Sequence, residues 1–248
     1  MDTELISLNK YISSSGFCSR READKLIEQA RVTVNDEVAL PGTKIAIHDK
    51  VEVDGEPLKS RKKPVYLAFN KPAGITCTTD EKDRTNIISY INFPKRIFPV
   101  GRLDKESDGL ILLTNDGDIV NKILRAANNH EKEYTVNVDK PITAHFIQQM
   151  STGVPILDTV TAKCYVRKEG EKRFRIVLTQ GLNRQIRRMC EFLGYNVTKL
   201  TRVKIMHIKL NSLPLGNWRY LTPAEIEKLN ELLIDSVNTE DTLNINRK

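Results

Sequence analysis

Short runs with strand character recur along most of this chain, and they restrict the fold more than any other feature. An apolar run opens at Val65 and stops at Asn70-Lys71-Pro72, and further runs occupy residues 97–100, 109–114, 132–138, 159–166, 172–179 and 203–210. Helix signals lie between them. Residues 117–127 place Ile119, Val120, Ile123 and Leu124 on one face. Thr143 caps a helix carrying Phe146, Ile147 and Met150 and ended by Gly153. Residues 183–193 carry Ile186, Met189, Cys190 and Leu193, ended by Gly194. Thr222-Pro223-Ala224-Glu225 opens a last helix with a capping box and proline at its first position. Many strands with a few interspersed helices predict an α+β domain around a largely antiparallel sheet.

The block before this domain follows a different pattern. Ser19-Arg20-Arg21-Glu22 reads as a capping box, and Ala23, Leu26, Ile27 and Ala30 then recur at helical spacing, leaving Arg20, Arg21 and Lys25 outside. Two alternating runs follow, broken at Asn35-Asp36 and Asp54-Gly55, which are hairpin turn signals. "PLKSRKKP", residues 57–64, has a proline at each end and no apolar pattern, so it reads as a linker. The organisation expected is a small helix-and-strand module at 5–58, a linker at 59–64, a large domain at 65–235 and a disordered tail at 236–248.

Composition excludes several classes. A chain of 248 residues that is 40% hydrophobic and 29% charged reads as a globular protein. It has no apolar run near the ~18 residues of a membrane span. The N-terminal MDTELISLNK lacks a secretory pattern, and a cytoplasmic protein is expected. Cys18, Cys77, Cys164 and Cys190 are far apart, and neither they nor His48, His130, His145 and His207 show ligand spacing. Buried thiols are expected rather than a metal site or disulfides. The net charge of +7 points to a polyanion. The charge is concentrated. Residues 1–56 are net acidic, Lys59 to Lys63 is a basic cluster, and Arg167 to Lys209 holds twelve Lys or Arg against three Glu. That last stretch reads as a basic face for phosphate.

Against this background "GRLDKESDGLILLTNDG", residues 101–117, carries four acidic residues. It parses as a loop, a buried strand and a turn into a helix. Asp116 is placed to cap that helix, and Asp108, before glycine, reads as a turn residue. Glu106 reads as solvated. Asp104 lies on a loop with no helix to cap, between Arg102 and Lys105, so it is either solvated or chemically used. "QGLNRQIRRMCEFLG", residues 180–194, sets Arg184, Arg187 and Arg188 at a helix opening, which is either a surface basic helix or a phosphate cradle. In "EKEYTVNV" the Tyr134 ring is either core or a stacking platform for a base.

The ordered set "NKPAG", "GRLDKESDGLILLTNDG", "KEY" and "QGLNRQIRRMC" resembles the RsuA-type family of ribosomal RNA pseudouridine synthases. "LNKYISSSGFCSRREADKLI" resembles the small RNA-binding module of ribosomal small-subunit protein four, which that family carries at its N-terminus. "QGLNRQIRRMC" and "HEKEY" look most like the branch acting on large-subunit (23S) RNA. The resemblance implies the pseudouridine synthase fold, a mainly antiparallel mixed sheet in two halves with a central cleft. It also implies isomerisation of uridine to pseudouridine with no metal or other cofactor.

Carried onto this chain, the family pattern makes Asp104 the essential carboxylate, attacking the sugar C1′ or the base or helping to form a glycal. Arg187 matches the arginine that pairs with it, and Tyr134 the tyrosine that stacks on the uracil. Arg102 matches the residue that fills the gap left by the flipped nucleotide. Leu103, Lys71, Arg184, Gln185 and Arg188 are further RNA-contact candidates, and Arg20, Arg21 and Lys25 would steer RNA from the N-terminal module. The partner expected is ribosomal RNA, with transfer RNA a second candidate, and the enzyme is expected to be a monomer. Two rivals remain: a ribosome-associated RNA-binding protein without activity, and a metal-dependent nuclease using Asp104, Asp108, Asp116 and Asp118.

Overall fold

The computed structural model describes residues 5–58, 63–124 and 129–234. The tail expected at 236–248, all but the last two residues of the linker, and the end of the helix expected at 117–127 lie outside the described residues. The chain divides into two compact units, Met1–Pro64 with Pro94–Arg96, and Val65–Phe93 with Ile97–Lys248.

The first unit contains β1 (Ile6–Ser7), α1 (Leu8–Ser14), α2 (Arg20–Glu28), β2 (Val32–Val34), β3 (Glu37–Val38), β4 (Lys44–Ile45), β5 (Val51–Val53) and β6 (Glu56–Pro57). The Ser19 hydroxyl accepts from Glu22 N–H while the Glu22 carboxylate accepts from Ser19 N–H, so the box forms as expected. Ala23 and Ile27 face a core with Leu8, Ile12, Val32 and Val53. Arg20, Arg21 and Lys25 are left exposed. Both hairpin turns have two consecutive left-handed residues, Asn35 and Asp36 at φ 51° and 69°, and Asp54 and Gly55 at 53° and 79°. This is the backbone that matches strand twist. The short helix α1 carries no capping side chain and was not visible in the sequence.

The second unit contains β7 (Tyr66–Lys71), α3 (Ile87–Ile91), β8 (Phe98–Val100), β9 (Asp108–Thr114), α4 (Gly117–Leu124), β10 (Lys132–Val138) and α5 (Ala144–Thr152). It continues with β11 (Pro155–Ile156), β12 (Thr159–Val160), β13 (Tyr165–Gly170), β14 (Arg173–Leu178), α6 (Gln185–Phe192), β15 (Val197–Ile205), β16 (Ile208–Lys209), β17 (Trp218–Tyr220) and α7 (Pro223–Leu233). The run expected at 159–166 is two separate strands, because residues 161–164 leave the ladder. The run expected at 203–210 starts earlier, at Val197, and folds back at Met206, whose φ is 53°.

The main sheet runs β13-β14-β10-β15-β9-β7-β17, with β16 on β15 and β8 on β9. Every pairing is antiparallel but one. β15 and β9 meet in parallel over two residue pairs, Thr201 with Asp108 and Arg202 with Gly109. That narrow seam joins two antiparallel halves. Each half has its own core: Val136, Phe146, Phe174 and Met189 in one, Leu67, Phe69, Ile111 and Leu113 in the other. β9 is central, and its unbroken apolar run is what a strand covered on both faces requires. Leu110, Ile111 and Leu113 have no exposed surface. Each contributes about 1.5–3 kcal/mol on burial.

Candidate active site

At the seam the two halves border a cleft of about 650 Å³, lined among others by Arg102, Leu103, Asp104, Lys132, Tyr134, Arg184 and Arg202. The β8–β9 loop brings Asp104 into it, held by a turn in which Ser107 N–H donates to the Asp104 carbonyl at 3.0 Å. From the other half, α6 brings Arg187. Its Nε lies 3.7 Å from Asp104 Oδ2, an ion pair longer than a hydrogen bond, with the side chains 16% and 29% exposed. Nη2 donates to Ser107 Oγ at 3.1 Å and Nη1 to the Val197 carbonyl at 3.5 Å. Nε is buried and makes no hydrogen bond among the described residues. Two donors fix the guanidinium, and the third faces the carboxylate.

Tyr134 stands on β10 directly opposite Arg202 of β15. Its ring packs against the cores of both halves, and the Arg202 guanidinium carbon lies 6.0 Å from the ring centroid. The alternatives of core and platform therefore merge: the ring is half-buried and borders the cleft.

Several contact candidates find other partners. Lys71 has no exposed surface, and its Nζ donates to the carbonyls of Pro72 and Ile75 at 2.9 Å and to that of Lys105 at 3.5 Å. Burial lowers the pKa of its ammonium group. The expected phosphate contact is therefore corrected to a brace between loops. Gln185 is buried, and its side-chain oxygen accepts from Leu182 N–H at 3.0 Å, so it shapes the loop before α6. Leu103 is core, its N–H pointing to Cys77 Sγ at 3.4 Å. Arg188 turns back onto the Asn183 carbonyl at 3.1 Å.

Arg184 precedes the helix rather than lying in it, at φ 50°, and pairs with Glu106 at 3.0 Å. Glu106 is thus exposed but ion-paired. Its carboxyl is held below the ordinary range, first by a hydrogen bond from its own backbone and then by Arg184. Arg102 is exposed at the cleft.

The other carboxylates separate cleanly. Asp116 Oδ1 accepts from Asp118 N–H at 3.2 Å as a cap, and its Oδ2 accepts from the Tyr66 hydroxyl. Asp108 is not a turn residue. It opens β9, where its parallel pairing with Thr201 holds it, and it lies 3.5 Å from Lys199. Among the described residues no group of three or more His, Cys, Asp or Glu is arranged to hold a metal ion. Of the four free cysteines Cys77 and Cys190 are buried, while Cys18 and Cys164 are only half-buried.

The basic stretch also divides. Arg167, Arg173 and Arg175 gather around Glu169, and Arg175 also pairs with Glu133. From this stretch it is Arg184 and Arg202 that line the cleft. Sequence reasoning missed Arg202, Ser107 and Lys132. Ser107 lay inside the acidic motif, and Lys132 two residues before Tyr134, which in a strand puts both on one face. Lys132 Nζ donates to the His130 carbonyl at 3.1 Å, and burial, then the neighbouring Arg202, push its pKa down.

Comparison with known proteins accords with this geometry. Residues 65–192 match the RNA pseudouridylate synthase family model, and residues 7–51 match the S4 domain. The chain is 58% identical over 228 residues to the dual-specificity RNA pseudouridine synthase RluF of Salmonella typhi, covering 91% of this chain and 79% of that protein. It is 34% identical to the ribosomal large subunit pseudouridine synthase B of Bacillus subtilis, covering 91% and 96%. A crystal structure of a pseudouridylate synthase superposes with a TM-score of 0.67 at 30% identity, over 90% of this chain and 99% of that one. No helix among the described residues is long and apolar enough to cross a membrane. An aspartate and an arginine meeting across the seam of two half-sheets thus sit within a matched sequence region and a shared fold, and the chain belongs to the RNA pseudouridine synthase family.

Proposed function

We propose that the cleft isomerises a specific uridine in structured large-subunit ribosomal RNA, with Asp104, Arg187 and Tyr134 carrying the reaction without metal or other cofactor. The observation that carries this reading is the Arg187–Asp104 pair, in which a buried, otherwise unbonded Nε faces the carboxylate at 3.7 Å. Arg187 sets a fixed cation beside the Asp104 carboxylate and holds it in place. Asp104 then starts the exchange by attack on C1′, attack on the base, or assistance to glycal formation. In each route the N1–C1′ bond breaks, the uracil turns, C5 bonds to C1′, the C5 proton leaves to water, and the freed N1 takes up a proton, so that the product is an isomer of the substrate. Tyr134, which borders the cleft, offers its ring to the uracil and takes part in removing the C5 proton.

The target nucleotide must leave its stack, at a cost of a few kcal/mol. Arg102 fills the gap it leaves, and Arg184 and Arg188 supply phosphate contacts after releasing Glu106 and Asn183. Residues 5–58 form the RNA-steering module through Arg20, Arg21 and Lys25, and residues 65–235 form the catalytic domain. The protein acts as a monomer. The dual specificity in the name of the Salmonella relative supports a second substrate, for which our reading is transfer RNA.

The test is release of tritium from RNA labelled at uridine C5. Wild-type protein is expected to release label in the presence of EDTA, and Asp104→Asn to release none. Release that requires a divalent metal, or that survives the substitution, refutes the mechanism. RNA binding without any release by wild-type protein favours a binding protein instead.

A further inference from the structure

We propose that Arg202 is a positioning residue that holds the Asp104 loop and the Tyr134 ring in one geometry across the seam; this rests on the roles given above to Asp104 and Tyr134. Arg202 is 4% exposed. Its Nε donates to the Leu110 carbonyl at 2.6 Å and its Nη1 to the Arg102 carbonyl at 3.3 Å, while Nη2 is buried with no hydrogen-bond partner among the described residues. These acceptors belong to β9 and to the residue two before Asp104. The guanidinium also faces the Tyr134 ring. One side chain from one half-sheet thus touches the strand and loop of the other half and the aromatic wall of its own.

The backbone repeats the arrangement. Gly109 has φ 106°, and a Cβ there would stand 2.3 Å from the Arg202 carbonyl oxygen. Glycine is required for β9 to approach β15 this closely, and the approach brings the Arg202 side chain within reach of Leu110 and Arg102. A buried guanidinium whose hydrogen-bond acceptors are neutral carbonyls is poorly repaid in stability, and an apolar side chain would fill the seam at lower cost. Positioning accounts for its presence.

Cys77 provides an independent readout. It is 8% exposed, and its sulfur accepts from Leu103 N–H, in the residue between Arg102 and Asp104. Loosening the loop frees this thiol, whereas Cys190, with no exposed surface in the core of the other half, reports general loss of structure. The experiment uses the full chain, with iodoacetamide labelling of each cysteine followed by mass spectrometry and single-turnover pseudouridine formation at saturating RNA.

With Arg202→Met, Cys77 labelling is expected to rise about tenfold with Cys190 unchanged. The single-turnover rate is expected to fall about 100-fold, the size of effect an ångström of misplacement produces, and RNA affinity to stay within about threefold. Arg202→Lys, which keeps the charge and can reach one carbonyl, is expected to fall between, and it serves if the Met variant does not fold. Cys77 and Cys190 rising together, or a rate that holds while Cys77 becomes reactive, overturns the proposal. Failure of the underlying reading is separate: Asp104→Asn would retain activity whatever Cys77 does.

Discussion

Replacing Arg187 by Met removes the guanidinium while keeping most of its aliphatic length, so the change falls on charge and hydrogen bonding rather than on packing. At 3.7 Å two unit charges in surroundings of effective dielectric ~20 attract by about 4 kcal/mol. Both side chains keep some water, and screening brings this to about 2–3 kcal/mol. If that attraction keeps Asp104 ready to react, its loss slows the chemical step by a factor of about 30–150. Single-turnover formation of pseudouridine at saturating RNA reads this directly, because binding no longer contributes. Stability also changes. Ser107 Oγ, in a residue with no exposed surface, and the Val197 carbonyl lose a donor each. At about 1 kcal/mol per bond the melting temperature is expected to fall by about 4–8 °C. Arg187→Lys keeps the charge but cannot span Asp104, Ser107 and Val197 together, and its rate is expected to lie between. An Arg187→Met rate within about threefold of wild type would refute the reasoning, since the loss in readiness would then be below 1 kcal/mol.

Other expectations follow from single contacts. Glu225 accepts two hydrogen bonds from Arg219 at 2.7 Å and one from Thr222 N–H, and the first of these partners takes its carboxyl down to about 2. A depressed carboxyl stabilises above its unfolded pKa and loses that contribution as pH falls through the folded value. Glu225→Gln is therefore expected to cost about 1–2 kcal/mol at pH 7, after discounting for partial exposure, and nothing near pH 2, as read by urea unfolding at several pH values. Gly109→Ala must displace the Arg202 backbone. It is expected to lose about 3 kcal/mol or more by urea unfolding, whereas Gly181→Ala, with open space around it, is expected to change nothing measurable. RNA affinity is expected to fall linearly with the logarithm of salt concentration, and Arg184→Ala to lower that slope by about one in filter-binding titrations.

Much of the local structure was legible because its causes are local. The capping boxes at Ser19 and Thr222 and the cap at Thr143 need only residues within one helical turn, and all form. The hairpin turns at Asn35-Asp36 and Asp54-Gly55 likewise follow from residues that tolerate a left-handed backbone. β10 runs over Lys132–Val138 as its alternation predicted. β15 was misjudged because its exposed Thr and Lys residues hide the buried positions Leu200, Arg202 and Ile205. Asp108 was misread for a related reason: a residue before glycine usually turns, and only the pairing with Thr201 across the seam holds it in a strand.

From the sequence alone came the elements, their caps, the division of charge and the ordered motifs that single out Asp104, Tyr134 and Arg187. The tertiary structure decided which cation serves which group. Lys71 and Arg187 are both basic residues inside recognisable motifs, yet three carbonyls enclose the first and the second reaches Asp104. Arg202 carried no motif signal and proved to be placed between the loop and the aromatic wall. The physical reason is range. Periodicity and capping record what a residue meets within a few positions, whereas the partners of Asp104 and Tyr134 depend on a parallel contact of two residue pairs that closes a span of about ninety residues.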